Sequence, residues 1–196
     1  KPLEGRVLDP QATMLGARQE SWLTAGLLRS ETQWNVLAQQ VMMARVDRLP
    51  GEGGHYSMDQ WSGYDVPRKR LLQFLEDRQI PNPVVLTGDI HTNYVNDLKV
   101  DFDRPELATI ATEFVGTSIS SAGDGMVKAA YTDTMLAENA FVRFHNAERG
   151  YVSCTVTPDT WRADYQVVPF VTRRGAPLIT RKSFVVAGGR PGAEAV

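Results

Sequence analysis

The sequence predicts an α/β fold built on a mixed sheet, and three observations carry that reading. A strand, helix, strand order over residues 34–87 is the crossover unit that lays two strands parallel. Short β-rich runs with a tight-turn connection follow it. Composition is that of an ordinary globular domain, with 42% hydrophobic and 22% charged residues in 196.

Residues 1–14, opening KPLEGRVLDP, read as a leader of polar turn material. The segment has neither an initiating Met nor the apolar core of a signal peptide. MLGARQESWLTAGLLRS then places apolar residues at 14, 15, 22, 23, 27 and 28, which predicts a helix over 16–30 anchored by Trp22. In TQWNVLAQQVMMA, Trp34, Val36, Leu37 and the residues from Val41 are too apolar for a surface loop. The first half reads as a buried strand. Residues 47–64, rich in glycine and broken by proline, form an excursion.

Pro67 suits a first helical turn, and Leu71, Leu72, Phe74 and Leu75 give a second amphipathic helix over 66–78. After an Asn-Pro turn, VVLT reads as a buried central strand ending at Gly88. NYVNDLKV, LATIATEFV, FVRFHN, GYVSCTVT and WRADYQVV read as further strands, with a helical stretch near 124–138 between the second and third. The last two strands are joined by Pro-Asp-Thr. Cys154, the single cysteine, cannot make an internal disulfide and fits as a small hydrophobe in a buried strand. From 171 onward RRGAP and GGRPGAEA indicate a tail around one strand, SFVVA.

Charge and hydropathy exclude some functions. The formal charge is -2 with scattered basic residues, so there is no footprint for a nucleic-acid backbone. No apolar run approaches the length of a membrane span.

Chemistry concentrates in VVLTGDIHTNY. Functional groups in open α/β sheets collect beyond the carboxyl ends of strands, and Gly88-Asp89-Ile90-His91 stands at such an end. Glycine permits a tight turn, and Asp89 and His91, two residues apart, supply an oxygen and an imidazole donor. A metal takes at least about 4 donors, so the pair leaves its shell half empty. The same four letters also suit a plain turn, with Asp as a cap and His as a structural residue. GTSISSAG offers Ser118, Ser120 and Ser121 near Asp89 and His91 but lacks the nucleophile elbow that a hydrolase serine needs.

Six segments in order, MLGARQESWL, TQWNVLAQQVMMA, DQWSGYDVPRKRLLQFL, NPVVLTGDIHTNYVNDL, ATEFVGTSISS and HNAERGYVSCTVTPDTW, resemble the carboxyl half of PhoD-type alkaline phosphatases across most of residues 14–165. The resemblance implies half of a metallophosphoesterase two-sheet β-sandwich flanked by helices, over 15–170. It also implies a secreted phosphatase and phosphodiesterase, extracellular or periplasmic, that acts on phosphate esters with iron and calcium.

By that match Asp89 and His91 are catalytic and metal ligands, the aspartate suiting calcium and the histidine iron. Gln39 or Gln40 falls where the superfamily carries a histidine, and with Asn93 both are candidates for contacting substrate; the other reading of the two glutamines is ordinary polar caps at a strand end. His55, Asp59, Trp61 and Tyr64 fall at the rim, the two aromatic residues as loop packing, and His145 is structural. The family's bridging carboxylate and its other opening ligands have no counterpart before Leu15. The chain alone is therefore expected to be inactive and to pair with the missing half, held on a separate chain, or with a second copy. A degenerate phosphatase-like binding module without catalysis is the alternative.

Overall fold

Strand β1 (Asn35–Ala38) pairs in parallel with β2 (Pro83–Thr87), and the connection between them carries helix α2 (Asp65–Asp77). This is the predicted crossover. The computed structural model describes residues 1–49, 51 and 53–196, so Pro50 and Glu52 of the 47–64 excursion lie outside the described residues. Helix α2 begins with Asp65 in its first turn, where a carboxylate favours the positive end of the helix dipole. It buries Leu71, Leu72 and Leu75 at i, i+1, i+4 spacing. Helix α1 (Ala17–Leu28) lies within the predicted 16–30. Trp22, however, is 70% exposed and anchors nothing; Leu27 is the buried residue of that helix.

The hydrogen-bonded strand order is β1-β2-β4-β3-β6-β7-β8-β9, a mixed open sheet, with the two-residue β5 (Gly125–Met126) beside β6. Strand β4 (Ala111–Val115) runs parallel to β2, and β3 (Asn93–Leu98) is antiparallel between β4 and β6. The carboxyl ends of β1, β2 and β4 and the start of β3 therefore share one edge. The long strand β6 (Val142–Val156) pairs first with β3 and β5 and then with β7 (Thr160–Val168). At about 3.3 Å per residue its 15 residues span on the order of 50 Å. Expected as two strands, FVRFHN and GYVSCTVT are one, because two different partners satisfy the two stretches of its backbone.

Both faces of the β2–β4 layer are covered. One carries Leu37, Val85, Tyr94, Leu98 and Val115 against Leu71, Leu72 and Leu75 of α2 and Met42 and Met43. The other carries Val84, Val95 and Phe114 against Trp161 and Tyr165 of β7, Phe184 and Val186 of β8 (Ile179–Ala187), and Ala193 of β9 (Arg190–Ala195). The two halves of the sheet thus face each other, joined by β6. The Tyr165 hydroxyl donates to the Tyr94 carbonyl at 2.5 Å across the interface.

Five local expectations are corrected. The helical stretch near 124–138 is β5 followed by a short helix, α3 (Thr132–Glu138), because the left-handed backbone at Gly123 and Gly125 breaks it. Residues from 171 hold β8 and β9 rather than one strand in a tail. The Gly192 amide donates to Thr112 Oγ1 at 3.1 Å and the Ala193 amide to Asp97 Oδ1 at 3.2 Å, contacts no local pattern encodes. β1 is an edge strand with Val36 and Ala38 exposed on one face. Cys154 is exposed. In the opening segment Val7 is buried, and Lys1 and Tyr56 exchange backbone hydrogen bonds of 2.8 and 3.0 Å.

Candidate functional site

Beyond Thr87 the chain leaves the sheet through Gly88-Asp89-Ile90-His91, and both outer residues lie in the left-handed region, Asp89 at φ 68° and His91 at φ 59°. Aspartate and histidine are among the residues that tolerate this backbone best, yet each still costs on the order of 1 kcal/mol or more. The Ile90 amide donates to the Gly88 carbonyl at 2.8 Å and closes the turn. Two neighbouring strand ends hold it: Gly88 N donates to Gln40 O at 3.2 Å, and Gly116 N donates to Thr87 O at 2.9 Å. Asp89 and His91 both face solvent.

The structure brings the other candidates to this edge in different states. Gln40 is exposed and touches the turn through its backbone carbonyl. The Gln39 side chain is engaged within the chain: its Nε2 donates to Val41 O at 2.6 Å, and its Oε1 accepts the Trp61 indole N–H at 3.0 Å. Trp61 is buried, as loop packing requires. Asn93 is buried too. Its amide nitrogen donates to Asn146 Oδ1 at 3.1 Å and its oxygen accepts the Thr117 amide at 3.0 Å, so its side chain braces the β4 loop.

His55 is exposed and gives its backbone amide to Asp47 Oδ1 at 2.8 Å. Ser118 Oγ donates to Ser121 O at 3.0 Å. Among the described residues no hydrogen bond joins Ser118, Ser120 or Ser121 to His91. His145 is structural, with Nδ1 bonded to Thr132 Oγ1 at 2.9 Å and Nε2 to Tyr131 OH at 3.3 Å. Burial, and then the charge of Arg48, lowers its pKa to about 4, so it sits neutral against the Tyr94 ring.

Sequence reasoning missed Arg149 and Glu113. Arg149 is buried on β6, and its Nη1 donates to the His91 carbonyl at 2.7 Å while its Nε donates to Gly123 O at 2.9 Å. Glu113 lies under the loop that follows β1 and accepts the amides of Met43 and Ala44 at 2.6 and 3.0 Å and Asn96 Nδ2 at 2.8 Å. Full burial pushes its carboxyl up to about 6, against the pull of these donors. For Glu113 the available signal was a charge inside the otherwise β-forming run ATEFV.

Asp89 and His91 suit a metal in chemistry, being exposed oxygen and nitrogen donors on one turn. Among the described residues no group of three or more His, Cys, Asp or Glu gathers to hold one. A depression of about 680 Å³ is lined by Lys1, Glu4, Arg6 and Tyr64, none of which belongs to the strand-end edge. The site is an open strand-end edge on which Asp89 and His91 are exposed.

Known proteins match this arrangement over nearly the whole chain. The PhoD-like phosphatase model matches residues 1–165. The chain belongs to the PhoD-like phosphatase family. It is 46% identical to alkaline phosphatase D of Bacillus subtilis (strain 168) over 185 residues, which is 94% of this chain and 32% of that protein. It superposes on the solved structure of PhoD with a TM-score of 0.96 and 45% identity, over 100% of this chain and 38% of that one. The chain therefore spans about a third of the length of its PhoD relatives, less than the half expected, and the portion matched includes the strand-end turn.

Proposed function

We propose that this chain is the part of a metal-dependent phosphatase that contributes Asp89 and His91 to the metal centre. The observation that carries the reading is the left-handed turn, which presents two exposed donors at the sheet edge of a PhoD-like phosphatase. The donors fit iron and calcium in kind, oxygen for the harder ion and imidazole for iron. They do not suffice in number, and the remaining ligands come from outside these residues. When bound, the cations neutralise the phosphoryl oxygens and lower the pKa of an attacking water.

The chain's own residues orient the donors. Gln40 O and Gly116 N hold the Thr87–Gly88 peptide at the start of the turn, and the Asn93 side-chain amide fixes the neighbouring loop. Exposed Gln40 is the candidate that faces substrate, whereas Gln39 and Asn93 act as braces. The substrates proposed are phosphate monoesters and diesters, and the setting is secreted, extracellular or periplasmic. The partner is the rest of the metallophosphoesterase domain, either in one longer chain or as a separate one, with a second copy as the other route to covering the β1 edge.

The test compares this chain with a version extended to the full length of its relatives, each supplied with iron and calcium. Elemental analysis and aryl-phosphate turnover are measured for both. The extended protein is expected to hold metal and turn over; this chain is expected to do neither. Turnover by this chain close to that of the extended protein would overturn the incomplete-shell reading. An extended protein that binds no metal and has no turnover would favour the alternative, a phosphatase-like binding module, which rests on the two-donor edge.

A further inference from the structure

A single guanidinium joins two left-handed segments. Asp89 and His91 form one, and Ala122 and Gly123, at φ 67° and 70°, form the other. Arg149 donates from Nη1 to His91 O at 2.7 Å and from Nε to Gly123 O at 2.9 Å, with longer contacts from Nη1 to Ala147 O and Thr117 Oγ1 and from Nη2 to Ala122 O. No carboxylate pairs with it among the described residues. Only 5% of the residue is exposed. A buried cation is costly unless fully hydrogen-bonded, and here its partners are carbonyl oxygens on the two segments and on its own strand and the Thr117 hydroxyl.

We propose that Arg149 is a positioning residue. It holds the His91 carbonyl, and with it the backbone that aims Asp89 and His91, and ties that turn to the 117–125 loop so that the two move together. The fork geometry is what the role needs, since a planar guanidinium reaches both carbonyls at fixed separation and an ammonium reaches one. The inference rests on the metal-centre reading only for its consequence on metal retention. The coupling of the two segments stands without it.

The experiment uses the full-length protein that contains this chain. In Arg149→Lys and Arg149→Met, hydrogen exchange at the Gly88, Ile90 and Thr117 amides is expected to rise at least tenfold, with exchange in β7 and β8 unchanged. Metal retained after dialysis is expected to fall at least fivefold, less in the Lys variant. In the unsubstituted protein, the Arg149 Nε–H is expected to exchange at least a hundredfold more slowly than that of Arg190, whose side chain is 77% exposed. That comparison needs no variant to fold.

Fast exchange of the Arg149 Nε–H overturns the proposal. So does unchanged exchange at Gly88 and Ile90 in folded variants, or loosening of Thr117 alone. Loosened amides in a protein that binds no metal leave the clamp standing and sink the metal-centre reading instead. Rigid amides in a working phosphatase do the reverse.

Discussion

Glu113 Oε1 accepts the Met43 amide at 2.6 Å, which places a buried carboxylate directly beneath the loop that carries Gln39 and Gln40. The same side chain accepts Ala44 N and Asn96 Nδ2. Glu113→Gln turns an amide N–H toward one of these donors and leaves that group unsatisfied. A loss of about 1 to 3 kcal/mol is expected at pH 7, measured by urea unfolding.

Acid should widen that gap. Burial raises the Glu113 carboxyl from its ordinary 4.5 to about 6, so the folded chain takes up the proton more readily than the unfolded chain. Its contribution is fully present below 4.5 and is lost as pH rises through 6, an effect on the order of 2 kcal/mol. Unfolding free energies at pH 7 and pH 5 should therefore show the unsubstituted protein gaining on Glu113→Gln as pH falls. A difference that stays constant over that interval would remove the assigned shift.

His145 works in the opposite sense. Its pKa is lowered to about 4 by burial and then by Arg48, so its contribution is present above the ordinary 6.5 and is lost as pH falls through 4. His145→Gln should be less stable at pH 7 and should lose less stability between pH 6.5 and 4, by no more than about 3 kcal/mol. Parallel pH profiles for the two proteins would contradict a neutral buried imidazole.

Gly150 stands where β6 passes from β5 to β7. Its φ is 155°, and a Cβ there would lie 1.9 Å from Gln166 O across the ladder. Gly150→Ala should cost more than about 3 kcal/mol or block folding, read as a fall in the thermal midpoint. An unshifted midpoint would mean the two strands can slide apart without penalty.

Trp22 gives a contrasting case. Because 70% of it is exposed, Trp22→Ser should leave this chain's stability within about 0.5 kcal/mol. A larger loss in denaturant titration would mean the indole is covered in solution.

Elements with local signals were legible in the sequence. The β1–α2–β2 crossover followed from helical spacing at Leu71, Leu72 and Leu75 and from the valines of VVLT. Gly88-Asp89-Ile90-His91 drew notice because its residue types and its place after a strand agreed. Features set by distant partners were not legible. β9 reads as Arg-Pro-Gly turn material, and its ladder with β8, together with the side chains of Thr112 and Asp97, makes it a strand. The inward rotation of Asn93 depends on Asn146, which lies 53 residues away. Trp22 was misjudged because spacing locates an apolar face without saying what covers it. Arg149 was overlooked because its partners are carbonyls, which leave no trace in side-chain identity.

The β9 contacts with the β3–β4 layer also set a timetable for synthesis. Gly192 meets Thr112 across 80 residues of chain. At ribosomal rates of about 5 to 20 residues per second, roughly 4 to 16 s pass between the emergence of the two partners. Throughout that interval Val84, Val95 and Phe114 lack their complete cover, which gives a nascent chain a window for capture by chaperones before the second layer closes.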